Sequence, residues 1–288
     1  MKKTIRSSLS IVLCFIMLCV LLFNNAFASS ETSGKCGKNV KWSYSKSTNT
    51  LIISGKGPMN NYYYKASPWL YCIEDDDEPP VTIIVKQGVT SIGDGAFSDF
   101  DIKKISLPNT LTKIGNQSIT SGLGTGYDMA PTITIPKSVK SIGKWALVGG
   151  RGLKTIKVEK GNKNYVSVDG VLFNKSKTKL IACPPDKTGS FSIPNKTTTI
   201  DEYSFAGSRL KKLIIPKSVK TLKMCSFEWC EINSLYFKGK PPKGFVAELS
   251  SDSEAGFDTI YYPKSEESSW KKVIKKAGLE GQCKSWKG

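Results

Sequence analysis

The side chains that usually carry chemistry are unevenly supplied in this chain of 288 residues. Histidine is absent, which excludes a Ser-His-Asp triad, a Cys-His dyad and a His-ligated zinc centre. Cys36, Cys72, Cys183, Cys225, Cys230 and Cys283 lie beyond the N-terminal apolar run. With no imidazole to draw off a proton, none reads as a nucleophile. The run Asp75-Asp76-Asp77-Glu78 precedes two prolines. It lacks the interleaved spacing and glycine of an EF-hand loop, so it reads as a solvated loop. Asp94, Asp169, Asp201, Glu202 and Glu228 do not gather into the facing pair that glycosidase chemistry requires. The segment Gly122 to Gly126 precedes neither a helix nor a Gly-Lys-Ser/Thr triplet, so it is an insertion and not a phosphate loop. No catalytic residue, metal site or cofactor is expected.

Lysine is the informative residue. Lys and Arg number 42 against 24 acids, for a net charge of +18, which favours anionic partners without bearing on fold. Lys103-Lys104, Lys154 and Lys211-Lys212 precede apolar segments at equivalent places, and Lys137/Lys140 and Lys217/Lys220 follow them. Stacked about 4.8 Å apart, such columns repel unless water or a polyanion screens them. They form either a solubilising face or a groove for an anionic polymer.

Residues 1–28 have the pattern of a secretory signal: Lys2, Lys3 and Arg6, an apolar run from Leu9 to Phe23, then Ala26-Phe27-Ala28. The run is about fifteen residues, short of the roughly twenty that span a bilayer. Cleavage after Ala28 is expected, with no membrane span left in the mature chain, which is then secreted or held at the cell surface. Export permits disulfides, and Cys36 with Cys72, which flank one N-terminal segment, is the candidate pair. Export also argues against a nucleic-acid partner.

The elements that must position these residues repeat. The prolines of Leu107-Pro108, Ile135-Pro136, Ile193-Pro194, Ile215-Pro216 and Tyr262-Pro263, with Lys86, Glu159 and Lys238 as equivalents, recur every 22 to 35 residues. The residues three and one before each marker are Ile83/Val85, Ile105/Leu107, Ile133/Ile135, Ile156/Val158, Phe191/Ile193, Leu213/Ile215, Leu235/Phe237 and Ile260/Tyr262. All sixteen are apolar or aromatic, the alternation of a short strand with one buried face. A second apolar frame follows: Val89, Ile92 and Ala96-Phe97 in the first copy, Val139, Ile142 and Ala146-Leu147 in the third. Gly93, Gly115 and Gly143 are expected to turn the chain there. One copy cannot bury both frames, so the copies must stack as a solenoid. Asp169-Gly170 between apolar runs marks a hairpin and explains the longest spacing. Val40 to Ile53 reads as another hairpin, and Glu266 to Ala277 as a helix with Trp270, Val273 and Ile274 on one face.

Val89 to Phe97, Ile135 to Gly143 and Ile215 to Lys220, with the insert Tyr165 to Ile181, resemble the BspA-like leucine-rich repeat family of bacterial surface and secreted proteins. The segment from Cys36 to Trp69 is similar to the N-terminal module of such proteins. In this family a cysteine often follows the Ala-Phe pair; Cys230 takes that slot here and Phe100 takes it in the first coil. The expected fold is a mostly β, leucine-rich-repeat-like solenoid with a parallel sheet of short strands. It divides into a signal peptide (1–28), an N-terminal capping module built on a β-hairpin (29–82), the repeats (83–263, with a hairpin insert near 165–183) and a C-terminal helical cap (264–288). The resemblance implies a non-enzymatic protein that adheres to host or neighbouring-cell macromolecules, and the lysine columns extend the expected partners from an extracellular protein to an anionic glycan. The outward strand position runs Ile84, Ser106, Thr134, Lys157, Ser192, Ile214, Tyr236, Tyr261. Tyr236 and Tyr261 are candidate anchors beside Ile214, with Lys137, Lys140, Lys217 and Lys220 as electrostatic contacts. The rival readings are a β-helix enzyme acting on an anionic polysaccharide with a Lys or Arg base, and a structural component of the cell envelope. Oligomeric state is not legible.

Overall fold

The computed structural model describes residues 32–62, 65–73, 80–98, 101–120, 130–148, 152–250 and 254–287. The signal segment, the acidic run, the Gly-rich insertion and Phe100 lie outside the described residues. The chain is a mostly β parallel solenoid of about eight turns. The coils up to that of Pro216 each contribute one strand to a platform and a shorter one to a second sheet, and the later ones a platform strand alone. On the platform, Val81–Val85 pairs in parallel with Ile102–Ser106, and Thr132–Ile135 with Thr155–Val158. Ser190–Ser192, Lys212–Ile215, Glu231–Phe237, Gly256–Pro263 and Cys283–Trp286 follow in chain order, all parallel.

The apolar alternation decides which face goes inward. Fourteen of the sixteen strand residues named above are buried, and the other two, Leu107 and Val158, pack partly buried against the core. The marker then turns the chain. The carbonyls of Pro108, Pro136, Pro194 and Pro216 accept the N–H groups of Leu111, Val139, Thr197 and Val219, three residues on. A proline donates nothing to the ladder, so the strand stops and a turn begins. The second frame is buried too: Val89, Ile92, Ala96 and Phe97 in the first coil, and Val219, Leu222 and Phe227 in the sixth marked one.

Gly93, Gly115 and Gly143 serve a different purpose from the one expected. None has a left-handed φ. A Cβ on Gly93 would fall 1.7 Å from the Asn60 oxygen, on Gly115 2.6 Å from the Asp94 nitrogen, and on Gly143 2.5 Å from the Asn116 nitrogen. They let neighbouring coils touch. The left-handed turn comes two residues later, at Gly95, Gln117, Trp145, Tyr203 and Cys225.

The insert is a hairpin. Tyr165–Val168 runs antiparallel to Val171–Asn174, and Asp169 and Gly170 both have positive φ, as a tight two-residue turn requires. The Ile156 N–H donates to the Gly170 carbonyl at 2.9 Å, so the hairpin lies on the platform strand Thr155–Val158. Its return strand, Lys179–Ala182, joins the second sheet beside Thr199–Ile200. The buried core falls into two clusters that meet at this insert.

At the N-terminal end Val40–Ser45 pairs antiparallel with Thr50–Gly55, which continues in parallel onto Val81–Val85. Trp69 is buried there against Trp42, Tyr62 and Phe97. The C-terminal helix spans Glu267–Ala277 and buries Trp270 and Ile274. Beyond it the chain forms one more platform strand, Cys283–Trp286, which the sequence did not announce. Among the described residues no helix is long and apolar enough to cross a membrane.

Candidate functional site

The parallel register builds the outward column at the C-terminal end. Ser192 pairs with Ile214, Ile214 with Tyr236, Tyr236 with Tyr261 and Tyr261 with Lys284. In-register stacking brings the two tyrosine rings to 4.2 Å with planes 8° apart. Trp286, from the last strand, meets Tyr236 edge-on at 5.1 Å. Its indole N–H is fixed by the Phe237 carbonyl at 3.2 Å. On the other flank Lys212 Nζ stands 4.4 Å from the centre of the Tyr236 ring, within cation–π range. Tyr236, Tyr261, Ile214 and Trp286 all stay partly exposed. Burial, then the neighbouring Tyr261, pushes the Tyr236 phenol up. Toward the middle of the platform the same position carries Ser106, Thr134, Lys157 and Ser192, all exposed. The sequence placed the two tyrosines correctly. It missed Trp286, which belongs to no repeat and lies outside the apolar pattern.

The lysines separate into two groups. Lys137 and Lys140 are exposed on the coil of Pro136, where the backbone N–H of Lys137 donates to Glu159 of the next coil at 2.9 Å. Lys217 and Lys220 lie three coils further along, past the coils of Glu159 and Pro194. There they share an open groove of about 840 Å³ with Asn195, Ser218, Lys238, Gly239, Lys240 and Glu266. Lys220 Nζ donates to the Lys217 carbonyl at 2.7 Å. The four expected lysines therefore do not form one site.

Carboxylates on the second-sheet side are paired with lysines. Asp201 bonds Lys223 at 2.9 Å and Lys179 at 3.3 Å, and Glu202 bonds Lys144 at 2.8 Å. Burial pushes Asp201 up, but the Lys223 hydrogen bond and the two ammonium charges outweigh it and hold the carboxyl below its ordinary value. Among the described residues no group of three Cys, Asp or Glu could hold a metal ion.

A model of the BspA-type leucine-rich repeat region matches six copies over residues 81–187 and 185–243. The chain belongs to the BspA-type leucine-rich repeat family. Among solved structures, this BspA-type chain is similar to a leucine-rich repeat protein from Eubacterium ventriosum, with 24% identity over 81% of this chain and 78% of the other, at a TM-score of 0.46. A leucine-rich cell surface protein from Faecalibacterium prausnitzii is 15% identical over 91% and 96% of the two chains, at a TM-score of 0.43. The pneumococcal vaccine antigen PcpA is 15% identical over 87% and 96%, at a TM-score of 0.31. None of the curated proteins matches the chain.

The thiols of this BspA-type protein behave as core residues. Cys183 and Cys230 are buried, and burial pushes the Cys183 thiol up to about 12 and Cys230 higher still. Cys230, in the slot after the Ser226-Phe227 pair, is a packed thiol as its repeat position suggests. Cys36 is a buried thiol. Burial pushes it up to about 12.

Proposed function

We propose that this protein is exported and non-enzymatic, and that its platform binds a host or neighbouring-cell macromolecule at the cell surface. The Tyr236–Tyr261 ladder supports this reading. Two stacked, half-open rings with a tryptophan on one flank and a lysine on the other form a preordered aromatic patch. Aromatic side chains of this kind are the commonest anchors of protein interfaces, because they bring large area at small entropic cost. Ile214 extends the patch by one coil. Export is supported by the basic and apolar pattern of residues 1–28 and by the family's surface character.

The test is a binding array of extracellular-matrix proteins and glycans, probed with the mature chain and with Tyr236→Ala/Tyr261→Ala at low and high salt. Loss of two anchors costs about 2 kcal/mol or more, roughly thirtyfold in affinity, and salt leaves the aromatic contribution intact. Equal binding by the double variant, with its fold unchanged by circular dichroism, removes the ladder from the interface.

A further inference from the structure

The lysine groove gathers four ammonium groups around one carboxylate. Lys217, Lys220, Lys238 and Lys240 line one concavity with a single acid, Glu266. Lys144, Lys179, Lys187, Lys223 and Lys271 each have a carboxylate partner. None of the four groove lysines has one among the described residues.

The repeat makes this a local reversal. Lys137 follows its marker proline, and the next coil's marker is Glu159, whose carboxylate reaches back to the Lys137 backbone. Lys217 follows its marker proline in the same way, but the next marker is Lys238. Where a carboxylate caps the backbone of one turn, two lysines now stand at the equivalent places, with Lys240 adding a third charge and Lys220 a fourth. The backbone is shaped to bring them close. A Cβ on Gly239 would fall 2.8 Å from Lys217 Cα, so only glycine lets the two turns meet. The Gly239 carbonyl is held by the Trp270 indole N–H at 2.9 Å, and the Lys217 carbonyl by the Lys220 ammonium. Like charges gathered on a fixed backbone repel, and a bound polyanion relieves that repulsion.

The lining narrows the class of polyanion. No arginine lines the groove, so its charge is carried by ammonium point charges, which pair with carboxylate, sulfate or phosphate alike. Asn195 presents an amide and Glu266 an acceptor, whereas the Ser218 hydroxyl is buried beneath the lining. A carboxylate repels a chain of bare phosphates but accepts hydrogen bonds from sugar hydroxyls. The volume is that of a site for a drug-sized occupant, larger than a single inorganic anion fills. We infer that the groove of Lys217, Lys220, Lys238 and Lys240 binds a segment of an acidic polysaccharide, with the lysines on its carboxylates or sulfates and Asn195 and Glu266 on its hydroxyls. This deepens the binding reading above and needs no contribution from the tyrosine ladder.

Isothermal titration of the mature chain with a sulfated uronate hexasaccharide, a polyphosphate of equal charge and a neutral dextran fragment tests it. Taking ~0.7 ions released per contact on a flexible polyanion, four lysines give a slope of about −3 in log affinity against log salt. Affinity for the hexasaccharide then falls roughly fiftyfold between about 50 and 200 mM salt. Lys238→Gln/Lys240→Gln lowers it about tenfold, the fourfold Lys→Gln variant abolishes it, and Lys103→Gln/Lys104→Gln leaves it unchanged. These exposed substitutions leave the fold intact, which thermal melting verifies. Hexasaccharide binding by the fourfold variant at wild-type strength overturns the site, and polyphosphate binding as tight as the hexasaccharide overturns the polysaccharide. If Tyr236→Ala/Tyr261→Ala retains hexasaccharide binding while losing nothing on the protein array, the groove stands and the ladder falls.

Discussion

Adding one methyl group at Gly115 measures how tightly the coils stack. Gly115 is buried where the second coil crosses the first. A Cβ there would lie 2.5 Å from Asp94 Oδ1, 2.6 Å from Asp94 N and 2.7 Å from the Gly93 carbonyl carbon. Two of those atoms are backbone, so no side-chain rotation relieves the clash and the coils must part. Parting them strains the Asn116 N–H bond to Asp94 Oδ1 at 2.9 Å, the Asn116 amide bond to Asp94 Oδ2 at 3.0 Å, and the Gly95 N–H bond to the Asn116 carbonyl at 2.9 Å. Overpacking costs about 1–3 kcal/mol, and two or three weakened hydrogen bonds add about 1 kcal/mol each. The smaller unfolded-state entropy of alanine returns about 0.4–1 kcal/mol, so Gly115→Ala is expected to destabilise by roughly 3 kcal/mol. Gly281 is the control: it is exposed, its φ is not left-handed and nothing lies within 4 Å of its Cβ position. Gly281→Ala is therefore neutral or stabilising by up to about 1 kcal/mol. Urea unfolding followed by circular dichroism and tryptophan fluorescence reports both, with the slopes compared because stacked repeats can unfold in stages. A Gly115→Ala variant within about 0.5 kcal/mol of the parent, or as stable as Gly281→Ala, refutes the close-stacking argument.

The buried thiols give the fold an alkaline limit. Unfolded, the Cys183 thiol ionises at its ordinary 9.0, and folded it keeps its proton to about 12. The folded value is the raised one, so stability is whole below pH 9.0 and declines above it, by roughly 1.4 kcal/mol per pH unit for each such thiol. Urea midpoints measured from pH 8 upward are expected to fall, and Cys183→Ala to flatten the decline by one thiol's share; an unchanged slope in that variant is the contrary result. Trp270 is fully buried among Phe237, Phe245 and Tyr262. Trp270→Ala is expected to cost about 3–5 kcal/mol and, by freeing the Gly239 carbonyl, to weaken hexasaccharide binding in the chains that remain folded at low temperature; undiminished affinity there shows that the helix does not shape the groove.

What could be read from the sequence was what one coil decides alone. Ile133 and Ile135 alternate with polar neighbours and go inward because a strand has two faces. Asp169-Gly170 makes its turn because both residues tolerate positive φ. What was missed depends on two coils at once. Gly115 stands where a turn residue is plausible, and only the backbone of the preceding coil shows that space, not torsion, selects glycine. The left-handed residue proves to be Gln117, Trp145, Tyr203 or Cys225 in successive coils, so no residue type marks it. Trp286 joins the tyrosine ladder through a strand that carries no copy of the repeat.

The same distinction governs charge. A lysine after the marker proline is, by its own coil, a solvated surface residue, and nothing in its immediate neighbours distinguishes Pro136-Lys137 from Pro216-Lys217. The residue 22 positions after Lys137 is Glu159, and the residue 21 positions after Lys217 is Lys238. Because parallel coils stack their markers, one change of sign puts a second ammonium where a carboxylate stood beside a lysine turn. Tight stacking then makes the change matter, since Gly239 removes the side chain that would hold the two turns apart. The geometry that buries the aliphatic rows is thus the same geometry that concentrates positive charge outside them. A site can arise on such a scaffold by substituting marker residues while every buried position of the repeat stays as it was.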